Sequence, residues 1–243
     1  MKSQSIALNF LLSVSLFCLS FYISWNLNAA SNFLYSIWYE TLDLGGAIDK
    51  YAPDNKFREG FETTSKPQRV ELFSGIVRGV QNDGKGLSGL AYTHNNSVET
   101  LLTDAEIIHL QDVANLVDKF KYLALCAFVV ALLTMILIFR RKIPIKKFKR
   151  HLYSGLGLIL FLLVILLIMG PTKVFYAGHE LIFPNNHQWF FYYEESLMST
   201  MMRAPDLFGP IACQLLLLTI LLWLLLLYSL QKFQHRLKRL DDS

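Results

Sequence analysis

The chain has 243 residues, 53% of them hydrophobic and 17% charged, with a formal net charge of +4. Soluble domains carry nearer a quarter of charged residues, so this composition argues against an ordinary soluble globule and excludes intrinsic disorder. A mild cationic excess says nothing about partners until it is divided along the chain.

The apolar residues gather into four blocks, 6–25, 122–139, 152–170 and 211–230, none containing an Asp, Glu, Lys, Arg or His. About 20 apolar residues match the roughly 30 Å hydrocarbon core of a bilayer at helical rise. A soluble core helix would keep a polar stripe, which these blocks lack. In lipid such runs become helices, because backbone groups must be satisfied internally. The sequence thus predicts an all-α integral membrane protein: four transmembrane helices and a partly structured extracytoplasmic domain formed mainly by the first loop. The expected order is transmembrane helix 1 over 1–26, an extracytoplasmic loop domain over 27–120, helix 2 over 121–139, a basic cytoplasmic loop over 140–151, helix 3 over 152–170, an extracytoplasmic loop over 171–210, helix 4 over 211–230, and a cytoplasmic tail over 231–243. The first block has the outline of a secretory signal with Ala29-Ala30 as its cleavage site, but the run is long and Leu27 and Asn28 suit such a site poorly. Retained or cleaved, it delivers the following segment to the far side of the membrane.

Charge placement sets the orientation. The 140–151 loop carries seven basic residues and no acid, and the tail adds Lys232, Arg236, Lys238 and Arg239. Short basic loops stay cytoplasmic, which puts both termini inside and the 26–121 and 171–210 segments outside. Divided this way, the inner segments hold 12 basic and 2 acidic residues, the outer ones 11 and 17. The basic loop is explained by topology and anionic lipid, with no nucleic-acid partner. Cys18, Cys126 and Cys213 all fall within spans and read as packing residues, with no metal spacing. Asn95-Asn96-Ser97 fits a glycosylation acceptor, a common triplet.

The first outer loop is too long for a bare linker. The 32–44 segment, with Phe33, Tyr35, Trp38 and Tyr39, reads as a continuation of the first helix into the membrane interface, ended by Gly45-Gly46. Over 70–80, Val70, Phe73, Ile76, Val77 and Val80 share one helical face. A turn follows at 82–86 and a short strand at 87–93. Thr103-x-x-Glu106 is a capping box that starts a helix. No Gly or Pro interrupts the chain from there to the end of the second span, so one long helix should carry His109 about three turns beyond the span, at roughly 1.5 Å per residue. Asp112 lies on the same face, placed to orient or charge-stabilise His109.

The second outer segment contains Phe175, His179-Glu180, Phe183-Pro184, His187 and Trp189 amid further aromatics. These rings suit an interfacial belt or the roof of a lipid-binding cleft. Arg203, just before the last span, suits a lipid phosphate or carbonyl, or snorkels to headgroups. The pattern Glu106-x-x-His109-Leu110-x-Asp112-Val113, then a span, a basic loop, a span, and Phe175-x-x-x-His179-Glu180-x-x-Phe183-Pro184 with Trp189, resembles the bacterial lipoprotein intramolecular transacylase family. The resemblance covers about 70–208. It implies a multi-pass protein of the bacterial inner membrane that moves an acyl chain from the sn-2 ester of a diacylglyceryl-cysteine to the α-amino group of the same cysteine, without a cofactor. It places the functional histidines at His109 and His179, and the partners are membrane lipid and the lipoprotein substrate's N-terminus. The first outer loop is longer than usual for that family, and Met201-Met202-Arg203-Ala204-Pro205 differs from its usual ending. Both departures bear on the acyl substrate more than on the fold.

The residues fit that chemistry in their own right. A histidine titrating near neutral pH can accept the amine proton and return it to the leaving oxygen. A second can stabilise the tetrahedral oxyanion. Asp112 and Glu180 would support the two histidines, and Phe183, Trp189 and Arg203 would contact the substrate. Two other classes stay open: a metal site built from His109, Asp112, His179 and Glu180, and a non-enzymatic membrane sensor or assembly factor using the outer loops as a binding surface. The oligomeric state is not encoded in any recognisable pattern.

Overall fold

The computed structural model describes residues 2–183 and 186–241; Pro184 of the Phe183-Pro184 pattern lies outside the described residues. In chain order, α1 (Lys2–Ala30) is followed by α2 (Tyr35–Thr41), α3 (Leu44–Tyr51) and α4 (Lys66–Gln81). A hairpin of β1 (Ala91–His94) and β2 (Ser97–Thr100) comes next. Then follow α5 (Asp104–Arg140), α6 (Phe148–Met169), α7 (Pro171–Ile182), α8 (Leu197–Met202) and α9 (Phe208–Asp241). Among the described residues, α1, α5, α6 and α9 are long and apolar enough to cross a membrane. Their apolar side chains point outward: Leu167 is 85% and Ile168 78% exposed. Apolar surface on that scale fits lipid as the surrounding solvent. The protein is a multi-pass membrane protein.

The chain divides into two compact units. The first comprises Met1–Leu27, Phe120–Ile168 and Gln214–Ser243. Leu12 and Leu16 of α1, Ala131 and Ile138 of α5, and Trp223 and Leu227 of α9 form its buried core, with Ile145 from the segment after α5. Trp223 donates its indole N–H to the Ser13 carbonyl (2.9 Å), satisfying a polar group that lipid cannot. Gly155 is buried; a Cβ there would touch Ile220 and Trp223 at 3.4 Å, so its smallness permits close helix packing, whereas Gly157 faces open space. Of the cysteines, Cys126 and Cys213 are exposed on apolar helix faces instead of packing inward.

The second unit comprises Asn28–Lys119 and Met169–Cys213. The first helix does not continue through residue 44. Asn32, Phe33 and Leu34 take positive φ (53°, 49° and 56°), which ends α1 and redirects the chain. Phe33, Tyr35 and Tyr39 therefore sit in this unit's core and not in an interfacial belt. Tyr35 stacks on Phe73 of α4 at 4.0 Å and donates its hydroxyl to the Met201 carbonyl (2.8 Å). Gly45-Gly46 does not stop a helix either. Both lie inside α3, whose N-cap Asp43 accepts from the Gly46 amide. Ser65 caps α4, with Pro67 in its first turn. The buried face of α4 runs through Leu72, Phe73, Ile76 and Val80, close to the expected stripe, and includes Arg69. The Arg69 guanidinium donates to Thr64, Tyr39, Asp49 and the Glu62 carbonyl, so its burial is compensated. The strand expected at 87–93 is shifted to Ala91–His94 and pairs with β2 across Asn95-Asn96, both at positive φ, the two-residue turn chemistry of a hairpin. The possible glycosylation acceptor is thus a tight turn.

Candidate active site

The site is built from the first part of α5 (residues 104–119), α7 and the segment after α7, all within the second unit. The capping box forms as expected. The Glu106 amide bonds to the Thr103 hydroxyl (3.4 Å), and Glu106 Oε2 accepts from the Thr103 amide (2.6 Å) and hydroxyl (2.8 Å). Glu106 does more than cap: it is fully buried, and its Oε1 accepts from the Ser196 hydroxyl (2.5 Å) and the Met198 amide (3.3 Å) at the start of α8. A buried carboxylate with four donors is a tolerated charge. It ties α5 to α8 one turn before His109.

His109 and His179 come together. Their ring centroids are 6.1 Å apart and tilted by 34°. His179 stands on α7, a helix absent from the sequence reading. Gly170, at φ 80°, ends α6, and Pro171 opens α7 at the position a helix start favours. The His179 Nδ1 lies 2.9 Å from the Phe175 carbonyl oxygen. A carbonyl only accepts, so Nδ1 carries the proton and Nε2 keeps the lone pair. His109 is buried, and its Nδ1 has no hydrogen-bond partner among the described residues. Buried polar groups without a partner are uncommon in folded proteins, and a catalytic role is one of the accepted reasons for one.

Aromatic rings enclose the pair. Phe183 lies 4.9 Å from His109 and 5.2 Å from His179, centroid to centroid. Trp189 lies 5.2 Å from His179, and Phe175 4.0 Å. Phe191, not anticipated, is buried 6.1 Å from His109. Asp112 lies near enough to His109 for its carboxylate to act on that ring's charge, but its 2.6 Å hydrogen bond comes from His187 Nδ1; Glu180 is exposed without a hydrogen bond or ion pair among the described residues. His187 was unassigned because 75 positions separate it from its partner. Arg203 donates to the Leu42 carbonyl (2.7 Å) and pairs with Asp206 (3.0 Å), contacts that help hold the chain before α9. Among the described residues no three His, Cys, Asp or Glu side chains converge in a way that could hold a metal ion.

Burial pushes the His109 imidazole down to about 4; nearby His179 adds to this, and the Asp112 carboxylate opposes it. Burial also lowers His179, against the Phe175 carbonyl that raises it. Both rings are therefore neutral at pH 7, each with one N–H and one lone pair. The sign of the pH dependence follows. As pH falls below about 6.5 the unfolded chain takes up protons that folded His109 refuses until about 4, so stability is lost through that window. The expected loss is about 2–3 kcal/mol from this group. Unfolding midpoints in detergent between pH 7 and 4 should fall less steeply in His109→Gln than in the parent; equal slopes would contradict the assignment.

The spanning helices and the buried imidazole pair define a polytopic membrane protein with a candidate acid–base site. The chain belongs to the lipoprotein intramolecular transacylase family: the family model described as lipoprotein intramolecular transacylase Lit matches residues 8–205. No curated protein matches it by sequence. Among solved structures, the membrane-integral Lit of Bacillus cereus is similar at TM-score 0.67 and 20% identity, with 99% of this chain and 100% of that one covered. Two histidine variants of the same enzyme give TM-scores of 0.66, at 18% identity (99% and 96% covered) and 19% identity (98% and 97% covered). At such identities the likeness concerns the fold.

Proposed function

We propose that this chain transfers the acyl group from the sn-2 ester of a diacylglyceryl-cysteine, at a lipoprotein's N-terminus, to the α-amino group of the same cysteine. The observation that carries this reading is the pair of neutral, buried imidazoles 6.1 Å apart inside an aromatic enclosure. The amine nitrogen attacks the ester carbonyl carbon, and His179 Nε2, holding a lone pair, accepts the amine proton. The N–H of His109 donates to the oxyanion of the tetrahedral intermediate. The bond to the sn-2 oxygen then breaks, His179 returns the proton to that oxygen, and the product is an N-acyl, lyso-form lipoprotein. No enzyme nucleophile is required, since amine and ester belong to one molecule, and proximity contributes up to roughly 7–11 kcal/mol in well-oriented cases. Membrane lipid surrounds the substrate's acyl chains. The seven basic residues of the 140–151 loop support an orientation with both termini cytoplasmic and the histidines extracytoplasmic. Phe183 and Trp189 wall the acyl chain, and Arg203, half-exposed and held by the Leu42 carbonyl and Asp206, stands ready to meet a polar group of the substrate.

A crossover experiment tests the proposal. Purified protein in liposomes receives a mixture of two diacylated lipopeptides, one with a heavy peptide and light acyl chains, the other reversed. Mass spectrometry should show N-acylated products in which each peptide keeps its own acyl chain. Mixed products, or none, would refute an intramolecular transfer.

The His187–Asp112 hydrogen bond has a separate role. It holds the stretch that carries Trp189 and Phe191 against α5 and keeps water from the ester. His187→Ala should raise the fraction of substrate hydrolysed instead of transferred, read as lyso-lipopeptide with a free amine. His187→Asn, which can still donate to Asp112, should restore part of the ratio. An unchanged ratio in His187→Ala would remove this role.

A further inference from the structure

The first unit contains an open cavity of about 1120 Å³ between the start of α1 and the segment joining α5 to α6. Lys146, Lys147, Lys149 and Arg150 line it, and among the described residues none of these side chains has an ion pair or hydrogen bond. Among the described residues no acidic one is part of the lining. Ile6, Pro144 and Tyr153 supply an apolar wall beside the cations.

Membrane topology alone needs only the number of positive charges in a short loop, on any backbone. Here the backbone is held. The buried Asn9 amide donates to the Pro144 carbonyl (3.2 Å) and accepts from the Lys146 amide (2.9 Å). The buried Gln234 amide accepts from the Ile145 amide (2.9 Å) and donates to the Ile143 carbonyl (2.7 Å). Gln231 accepts from the Phe148 amide (3.0 Å). Amide side chains from α1 and α9 thereby fix residues 143–148 as the rim of a cleft, at the cost of burying polar groups in a membrane helix bundle. Such an arrangement presents cations to a ligand instead of leaving them on a mobile strand.

We propose that this cleft binds the headgroup of an anionic phospholipid. The phosphodiester would meet the four unpaired cations. The glycerol backbone and the first acyl carbons would lie along Ile6, Pro144 and Tyr153. An amphiphile with one negative phosphate is the ligand class that satisfies both walls at a membrane surface.

Native mass spectrometry of the full-length protein in detergent tests this. After incubation with phosphatidylglycerol or phosphatidylcholine, phosphatidylglycerol should be retained roughly tenfold more strongly. The double variant Lys147→Gln, Arg150→Gln should lose that preference. Because charge removal can disturb folding, Ile6→Glu gives a second arm: Ile6 is exposed, and a carboxylate there should repel the same lipid. Unfolding midpoints show whether each variant is folded. Equal retention of the two lipids, or a preference unchanged in both variants, overturns the proposal. Displacement of phosphatidylglycerol by millimolar inorganic phosphate also overturns it, by showing a free-phosphate site. None of these readouts depends on acyl transfer.

Discussion

Alanine at His109 or His179 should lower the rate of N-acyl product formation by about 10²–10⁴-fold, the usual contribution of a positioned acid–base group. The double variant should be little worse than the poorer single one, because two groups serving one proton itinerary do not contribute independently. Glutamine separates the roles. It can donate a hydrogen bond but cannot hold a proton in transit. His109→Gln, at a position assigned to oxyanion donation, should keep measurable activity, while His179→Gln should match His179→Ala. The reverse order would exchange the two roles; full activity in either alanine variant would end the histidine mechanism. The assignment rests on the Phe175 carbonyl, which accepts the His179 Nδ1 proton and so fixes the ring's free lone pair on Nε2.

Glu106→Ala should destabilise the protein by about 3–5 kcal/mol, the range for removing one partner from a buried charged network. The carboxylate is fully buried, and its loss strands the Thr103 amide and hydroxyl, the Ser196 hydroxyl and the Met198 amide. Glu106→Gln is not a rescue, since its amide group turns two donors toward groups that already donate. Unfolding midpoints in detergent measure the effect, and activity should fall with it because His109 lies one turn further along α5. An unaltered midpoint in Glu106→Ala would show that the network carries little.

Much of the fold was legible because the bilayer imposes long charge-free blocks, and no local chemistry competes with that signal. The 37-residue α5 was legible for the same reason, sharpened by Thr103-x-x-Glu106 and by the lack of Gly or Pro. The break at Asn32, Phe33 and Leu34 was not. Positive φ at Phe33 and Leu34 goes with the burial of Phe33 and Tyr35, a tertiary arrangement that local preference does not signal. Gly45-Gly46 misled because Asp43 caps α3 ahead of it and offsets the glycines. Asn95-Asn96 and Gly170-Pro171 did carry readable turn and helix-start chemistry. His109 and His179 stood out through the sequence pattern around them. What no pattern shows is that Asp112 pairs with His187 instead of His109, because pairing across 75 residues is decided by packing.

The two imidazoles lie next to each other, yet the chain between them enters two helices long and apolar enough to cross the bilayer, α5 and α6. Under the proposed histidine mechanism, an even number of crossings would therefore be a condition of activity. Were only one of these helices inserted during biogenesis, His109 and His179 would be left on opposite faces of the membrane, with no partly active intermediate. On the proposed mechanism, the cationic segment between α5 and α6, by holding the hairpin's tip on one side, would make correct insertion and a complete proton-transfer pair the same event.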